Sequence, residues 1–187
     1  RYNHQTLDLV IDYQKENKID TKKISSITID MPKYGVQLCG SPIEQKRNPQ
    51  SPVDAQFSGC FAVALALTEQ RADMTTFTGA LDKGLSDEFK RLMSITNIEQ
   101  ADDLDAIHPE FWPGRVKMII DGDEVELYGK HMRGERERPM TIEEVQDKFR
   151  DLSPKHDEKN RKEVFDVINN LENASIDDLL IPLRNTS

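Results

Sequence analysis

The segment that most restricts the fold is SPVDAQFSGCFAVALAL, which begins at Ser51, because every residue after Gln56 is apolar or small. Ser51 is typical of a helix N-cap, Pro52 suits the first helical turn, and Asp54 follows the cap by three residues. The pattern predicts one continuous helix that is enclosed by the rest of the chain. Its predicted buried face consists of Val53, Phe57, Phe61, Ala64 and Leu65.

The N-terminal residues predict a helix with a histidine in its first turn. His4, Leu7 and Ile11 share one stripe at helical spacing, so His4 is expected to point inward or into a cleft. The partial positive charge of a helix N-terminus favours a neutral imidazole, while Asp8 acts in the opposite sense. A neutral histidine at a cleft edge suits proton transfer. On the residues alone, we favour the alternative that His4 only caps its own helix and packs at a boundary.

Two extended segments are predicted after this helix. Ile27, Ile29 and Met31 alternate with polar residues, which is the pattern of a half-buried strand. Pro32 ends that strand because it cannot donate a ladder hydrogen bond. Residues 35–40 are predicted to form a second short extended piece.

The middle of the chain alternates between loops and short elements. Residues 73–84 are predicted to form a loop, followed by an amphipathic helix that begins near Ser86. Ile95 and Ile98 indicate an extended segment, and residues 99–114 are predicted to be loop. A β-hairpin then follows, since apolar and polar residues alternate on both sides of an Asp-Gly turn at residues 121–122.

No strand pattern recurs beyond residue 130, and three helices are predicted instead. Thr141 and Glu144 have the spacing of a capping box, a second helix contains Val164, and a third begins at Ser175. The predicted fold class is therefore α+β, with a small, mostly antiparallel sheet, packed helices and a helical C-terminal tail. We expect two domains, residues 1–130 and residues 131–187.

The composition excludes some functions and compartments. The 187 residues include 34 acidic and 25 basic side chains, for a formal net charge of -9, which argues against a nucleic-acid partner. No apolar run approaches the roughly 20 residues needed to cross a membrane. Cys39 and Cys60 are too few for a disulfide framework and are expected to be small buried side chains. A soluble, cytoplasmic protein is the expectation.

Few side chains stand out as candidates for binding. The spacing of the histidines and cysteines predicts no metal site, and no nucleotide motif is present. Arg133, Arg136 and Arg138 alternate with glutamates, which suits either a carboxylate site or a solvated turn, and we favour the turn. Arg1 is a further candidate carboxylate ligand. Trp112 is expected to be a packing residue at a boundary.

Three stretches together resemble the MmgE/PrpD family, which includes 2-methylcitrate dehydratase, cis-aconitate decarboxylase and iminodisuccinate epimerase. They are RYNHQTLD at the N-terminus, the SPVDAQFSGCFAVALAL segment, and DGDEVE followed by HMRGERERPMT and EEVQDKF. Their order and spacing are similar to the family pattern across essentially the whole chain. Only Asn3 separates Tyr2 from His4, where several residues separate the corresponding aromatic and histidine in the family.

The resemblance implies a fold and a location for the site. Family members combine a large all-helical domain with an inserted α+β lid, and the site lies in the cleft between them. Residues 1–130 resemble the lid, and the helices from Thr141 resemble the returning helical segment, so a fragment or truncated protein is expected. Carried over by position, His4 is the catalytic histidine of the lid and Arg1 is a candidate substrate-binding residue.

The resemblance also implies the chemistry. It is proton abstraction next to a carboxylate on a small di- or tricarboxylate, without a cofactor or metal, followed by dehydration, decarboxylation or epimerisation. Because most catalytic residues of the family belong to the helical domain, we expect this chain to be inactive by itself. The apolar residues of the tail helices would pack on that domain in a complete enzyme, so we also expect self-association into a homo-oligomer. The alternative is a stand-alone, non-catalytic module that binds a partner or a small ligand.

Overall fold

A computed structural model of the chain describes residues 1–184 and divides into two compact units, Arg1–Pro139 and Met140–Ser187. The first unit contains a four-stranded sheet in the order β2-β1-β3-β4. β1 pairs with β2 in parallel, whereas β1–β3 and β3–β4 are antiparallel. The predicted α+β class, with a mostly antiparallel sheet and a helical tail, is confirmed.

The elements follow one another in a simple order. The strands are β1 Ile24–Met31, β2 Thr96–Gln100, β3 Gly114–Ile120 and β4 Asp123–Gly129. The helices of the first unit are α1 Tyr2–Glu16, α2 Lys33–Gly35, α3 Ile43–Lys46, α4 Pro52–Gln56, α5 Gly59–Glu69, α6 Met74–Asp82, α7 Asp87–Ser94 and α8 Asp102–Asp105. The helices of the second unit are α9 Ile142–Leu152, α10 Glu158–Asn169 and α11 Ile176–Arg184. A π-helical turn, Val36–Gly40, follows α2, and 3-10 turns cover Thr21–Lys23 and Leu171–Asn173.

The core of the first unit is built around α5. Every residue from Gly59 to Leu67 is buried, and α5 packs against both α1 and α7. The ring of Phe61 contacts the rings of Phe77 and Phe89, with centroids 5.6 and 4.9 Å apart. Helix α1 also lies on β3 and β4, so it joins the helical layer to the sheet. The contacts of α1 with α5 and with the sheet therefore position the N-terminal stretch RYNHQTLD.

The prediction of one continuous helix from residue 51 is wrong, because the backbone breaks at Ser58. The Ser58 hydroxyl accepts a hydrogen bond from the backbone N–H of Phe61 at 3.0 Å and donates one to the carbonyl of Lys46 at 2.5 Å. Serine thereby caps α5 and ends α4. Since the break turns α4 away from the core, the predicted buried residues Val53 and Phe57 are in fact 62% and 48% exposed.

The predicted extended piece at residues 35–40 is also wrong, because these residues are helical. A helical path brings two glycines against bulky neighbours. A Cβ atom on Gly35 would lie 2.9 Å from the Tyr2 ring, and one on Gly40 would lie 2.6 Å from Ile98. Close packing of this segment on α1 and β2 therefore outweighs the alternation of Val36 and Leu38.

The loop predicted at residues 73–84 contains helix α6 instead. Asp73 accepts a hydrogen bond from the backbone N–H of Thr76, and the Thr76 hydroxyl accepts one from the backbone N–H of Asp73. This reciprocal capping box satisfies donors that a helix N-terminus otherwise leaves unpaired. The predicted loop at residues 99–114 likewise includes the end of β2 and the single turn α8.

Several other predictions of secondary structure in the first unit are confirmed. Ser86 caps α7, and β2 contains Ile98, whereas Ile95, predicted to be extended as well, is the C-cap of α7. Asp121 and Gly122 form the hairpin turn with φ angles of 55° and 93°, the left-handed values that this turn requires. Both cysteines are buried and free. For Cys60, burial raises the pKa of the thiol to about 11.

The second unit contains the three predicted helices, with the predicted capping box of Thr141 and Glu144 at the start of α9. The Phe149 and Phe165 rings meet edge to face, with centroids 5.2 Å apart. His156 Nε2 lies 2.9 Å from the carbonyl oxygen of Leu183, which joins the segment before α10 to α11. Several large apolar side chains of this unit stay exposed: Ile142, Val145, Leu152, Ile168, Leu171, Ile176 and Ile181.

Replacing Gly129 by alanine is expected to destabilise the first unit by about 1–3 kcal/mol. The side chain of Gln5 packs over the paired glycines Gly114 and Gly129, and a Cβ atom on Gly129 would lie 3.1 Å from Gln5 Cδ. Gln5 is 1% exposed, so it has little room to move. Urea unfolding measures the effect, with Gly79→Ala as the control.

Gly79 is a matched control because a Cβ atom added there meets nothing within 4 Å and Gly79 lies inside helix α6. Alanine is the better helix former, so this change should be neutral or stabilise by up to about 1 kcal/mol. Equal losses from the two variants would show that Gln5 does not constrain Gly129.

Candidate functional site

The N-terminus of α1 carries an aromatic cluster. The Tyr2 and Trp112 ring centroids are 4.9 Å apart, and the His108 ring meets the Trp112 ring edge-on at 5.1 Å. The hydroxyl of Tyr2 lies 3.4 Å from His108 Nε2. Burial is the main cause that raises the pKa of Tyr2 above its ordinary value. The phenol is therefore neutral at physiological pH, and it can donate or accept a hydrogen bond.

Arg1 covers this cluster. Its guanidinium carbon lies 4.6 Å from the centroid of the Trp112 ring, within the range of a cation–π contact. One terminal nitrogen also donates a hydrogen bond of 2.7 Å to Glu135. The side chain is 51% exposed, so further N–H donors of the guanidinium face solvent. Stacking and the ion pair orient Arg1 and leave it able to bind a carboxylate.

Ion pairs at one end of the central strands β1 and β3 hold the segment that carries His108 and Trp112. Arg115 of β3 donates to Asp30 of β1 at 3.0 Å and also pairs with Asp103 of α8. The hydrogen bond from Arg115 is the main cause that lowers the pKa of Asp103 below its ordinary value. Because α8 directly precedes the aromatic residues, this network fixes their approach to α1.

Residues 131–138, called the arginine loop below, lie along α1. Asp8 of α1 accepts a hydrogen bond of 2.7 Å from the backbone N–H of Arg133 and lies 3.4 Å from the Arg138 guanidinium. Arg138 also pairs with Asp12, one turn further along the helix. Met132 is buried beside these contacts. The prediction of a solvated turn is wrong for Arg138, which is half-buried, whereas Arg133 and Arg136 are exposed.

His4 lies in the first turn of α1 but not on its buried face. The buried positions of the first two turns include Asn3, Thr6 and Leu7, and His4 is exposed. The expectation that His4 shares an inward stripe with Leu7 is therefore wrong. The reason is that polar Asn3 takes the buried position, where its side-chain amide donates to the carbonyl of Gln56 at 2.9 Å.

The helical spacing relates His4 to the other candidates. Arg1 precedes it by three residues and Asp8 follows it by four, and residues so spaced are neighbours on a helix surface. Arg1 and Asp8 both bind the arginine loop, so the exposed imidazole of His4 lies along the side of α1 that this loop borders. An imidazole and a guanidinium thus stand on one accessible surface. The imidazole can accept or donate a proton, and the guanidinium can bind a carboxylate.

Some residues of this site have no local signal in the sequence. Trp112 and Glu135 are separated from Arg1 by more than a hundred positions, and only folding brings them together. His131, Glu135 and Glu137 are also close, with one possible ligand atom from each residue lying within 4.8 Å of the others. Their spacing in the sequence matches no helical metal-binding motif, because both carboxylates come from the arginine loop rather than from a helix.

One of two comparisons with known proteins identifies the family of this chain. No helix within residues 1–184 is both long and apolar enough to cross a membrane. A search of curated proteins finds no match to the chain. The family model of the MmgE/PrpD C-terminal domain, in contrast, matches residues 1–173, which is most of the sequence. The chain therefore belongs to the MmgE/PrpD family and corresponds to its C-terminal domain.

Proposed function

We propose that this chain is the C-terminal part of a MmgE/PrpD-type enzyme that acts on a small di- or tricarboxylate. The observation that carries the proposal is the surface shared by His4 and Arg1 within a matched family domain. In this arrangement Arg1 binds a substrate carboxylate, and His4 transfers a proton at the adjacent carbon. Loss of a neighbouring hydroxyl as water from the resulting carbanion-like intermediate gives dehydration, and return of a proton to the opposite face gives epimerisation. In decarboxylation CO₂ leaves first, the electron pair stays on the carbon, and His4 delivers the proton to it.

The charges around Arg1 suit this role. Glu135 accepts a hydrogen bond from one terminal nitrogen of the guanidinium, and Trp112 stacks on one of its faces. An incoming carboxylate can therefore bind the N–H groups that remain. Charge-assisted hydrogen bonds of this kind are stronger than neutral ones and hold a planar carboxylate in register. An exposed imidazole one helical turn away is within reach of the substrate carbon only when the carboxylate is anchored. Anchoring by Arg1 and proton transfer by His4 are therefore coupled.

The His4 and Arg1 surface supplies only part of an active site. Elimination needs a base, an acid near the leaving group and donors for the developing negative charge. An all-helical partner domain closing on this surface supplies the other groups and excludes water. We therefore propose that residues 1–130 act as the lid, that the helices within residues 131–187 belong with the helical domain, and that the chain alone does not turn over substrate. The exposed apolar residues of the tail favour association between copies.

The test combines binding and turnover. Citrate and cis-aconitate are titrated into the 187-residue chain while the imidazole resonances are followed by NMR, and turnover is measured after mixing with an all-helical MmgE/PrpD domain. Arg1→Gln should weaken binding about tenfold, because a charge-assisted hydrogen bond contributes about 1.5–3 kcal/mol. His4→Ala should lower turnover by about 10²–10⁴-fold. Lys18→Gln, an exposed cation beyond the end of α1, is the control and should change neither quantity.

The outcomes separate the two readings of the chain. Binding that depends on Arg1, together with turnover that depends on His4, supports the enzyme. Carboxylate binding without turnover in the presence of a helical domain indicates the stand-alone ligand-binding module instead. Binding that responds equally to Arg1→Gln and Lys18→Gln would contradict the assignment of Arg1.

A further inference from the structure

We infer that His131, Glu135 and Glu137 form a binding site for a divalent transition-metal ion such as Zn²⁺. The site lies in the arginine loop and is separate from the proton-transfer chemistry proposed for His4. His131 Nδ1 lies 3.5 Å from Glu135 Oε2 and 3.6 Å from Glu137 Oε2. All three atoms are within 4.8 Å of one another, so a single ion can contact them together after small side-chain movements.

The ligand set selects the class of ion. One imidazole nitrogen and two carboxylate oxygens suit Zn²⁺, Mn²⁺ or Fe²⁺, whereas Mg²⁺ and Ca²⁺ prefer oxygen ligands alone. Three protein ligands leave at least one coordination position for water. The three residues lie within seven consecutive positions, so little chain entropy is lost when the ion closes the loop. Two carboxylate charges also balance a divalent ion.

The surroundings hold these ligands in place. The Phe111 ring meets the His131 imidazole edge-on, with centroids 5.4 Å apart. Arg1 donates to Oε1 of Glu135, so the other oxygen, Oε2, faces His131. Groups that bind the far side of a ligand fix its orientation and strengthen metal binding. Arg1 therefore orients Glu135 without occupying the oxygen that would contact the ion.

Contacts on both sides of the site fix the arginine loop in place. Buried Met132 and the hydrogen bond from the Arg133 backbone to Asp8 fix the residues after His131, and the ion pairs of Arg138 fix those after Glu137. The side chain of Glu137 is 54% exposed and that of His131 is 25% exposed, so an ion has access from solvent. Bound metal would link both ends of the arginine loop and stabilise its contact with α1.

The experiment uses the 187-residue chain after treatment with a chelator. Isothermal titration with Zn²⁺ should show one saturable site, and bound Zn²⁺ should raise the melting temperature, because an ion that binds only the folded state stabilises it. Glu137→Gln should weaken Zn²⁺ binding by about tenfold or more and abolish the rise in melting temperature. His131→Gln should have the same effect.

Glu124→Gln is the matched control, because Glu124 is an exposed glutamate on β4 and lies outside the cluster. It should bind Zn²⁺ as the unaltered chain does. Because Glu137 is exposed, Glu137→Gln should keep the fold, which circular dichroism verifies. Absence of saturable binding, or binding that Glu137→Gln leaves unchanged, would overturn the site. Neither result bears on carboxylate binding by Arg1, which has its own titration.

Discussion

Replacing Phe61 by alanine is expected to lower the free energy of unfolding of the first unit by about 3–5 kcal/mol. Phe61 is fully buried in α5 and packs against the rings of Phe77 and Phe89. Truncation removes both ring contacts and leaves a cavity. Because α5 is enclosed on all sides by packed side chains, these neighbours cannot move in to fill it. Since a typical domain is stable by only about 5–15 kcal/mol, much of the stability would be lost.

Phe57→Ala provides the matched control for this measurement. Phe57 lies one helical turn before Phe61 in the sequence, but its side chain is 48% exposed because the backbone breaks at Ser58. Its replacement should change stability by no more than about 0.5 kcal/mol. Urea unfolding of both variants measures the difference. Similar losses would mean that the helix continues through Ser58 and that both rings share one buried face.

Replacing Asp30 by alanine is expected to cost about 3 kcal/mol, at the lower end of the values for breaking a buried ion pair. The Asp30 side chain is only 4% exposed and lies between Arg115, at 3.0 Å, and Lys117, at 2.7 Å. Without it, both cations of β3 lose their most buried partner. The cost stays at the lower end because Lys117 remains 34% exposed and can be hydrated.

Asp103→Ala tests the exposed half of the same network. Asp103 also pairs with Arg115, but its side chain is 59% exposed, and surface ion pairs contribute at most about 1 kcal/mol. Chemical unfolding should therefore separate Asp30→Ala from Asp103→Ala by roughly 2 kcal/mol. If Asp103→Ala lowered the free energy of unfolding more than Asp30→Ala, burial would not explain the contribution of Asp30 to stability.

The aromatic cluster gives this network a functional consequence. Arg115 joins β1 and β3 to α8, and α8 leads directly to His108 and Trp112. Loss of Asp103, which lies in α8, should therefore loosen the ring on which Arg1 stacks, even though it destabilises the sheet less than loss of Asp30. Carboxylate binding, where it depends on Arg1, should weaken in Asp103→Ala more than in Asp30→Ala.

Predictions based on local signals are confirmed where the structure depends on a few neighbouring residues. The capping box of Thr141, the cap at Ser86 and the Asp-Gly hairpin turn each satisfy backbone groups within one turn of the chain. Such contacts stay the same in almost any tertiary setting, so their sequence patterns are reliable. The alternation of Ile27 and Ile29 is similarly confirmed by their complete burial in β1.

The wrong predictions arise where two local readings compete. Ser58 can be an interior helix residue or an N-cap, and its hydrogen bond to the distant carbonyl of Lys46 favours the cap. Residues 35–40 alternate like a strand, but the contacts of Gly35 and Gly40 with Tyr2 and Ile98 favour a helical path. The sequence does contain a local signal for α6, since Asp73 and Thr76 have the spacing of a capping box.

For the candidate site, the motif RYNHQTLD identified His4 and Arg1, but periodicity placed His4 on the wrong face of α1. Three local positions decide that face: Asn3, Thr6 and Leu7 are buried, and His4 between them is exposed. Hydropathy cannot anticipate this, because asparagine is polar and is buried only through its bond to Gln56. The catalytic role of His4 and the binding role of Arg1 stay predictions.

The sequence by itself determined the starts of α7, α9 and α11, the hairpin, the α+β class and the family, because each depends on residues that are close in the chain or on motifs in a set order. Only the tertiary structure decided that Trp112 supports Arg1, that the arginine loop lies on α1, and that β2 pairs in parallel with β1. These contacts join residues separated by about 70 to more than 120 positions. Their energies are set by burial and charge pairing, which exist only after the chain has folded.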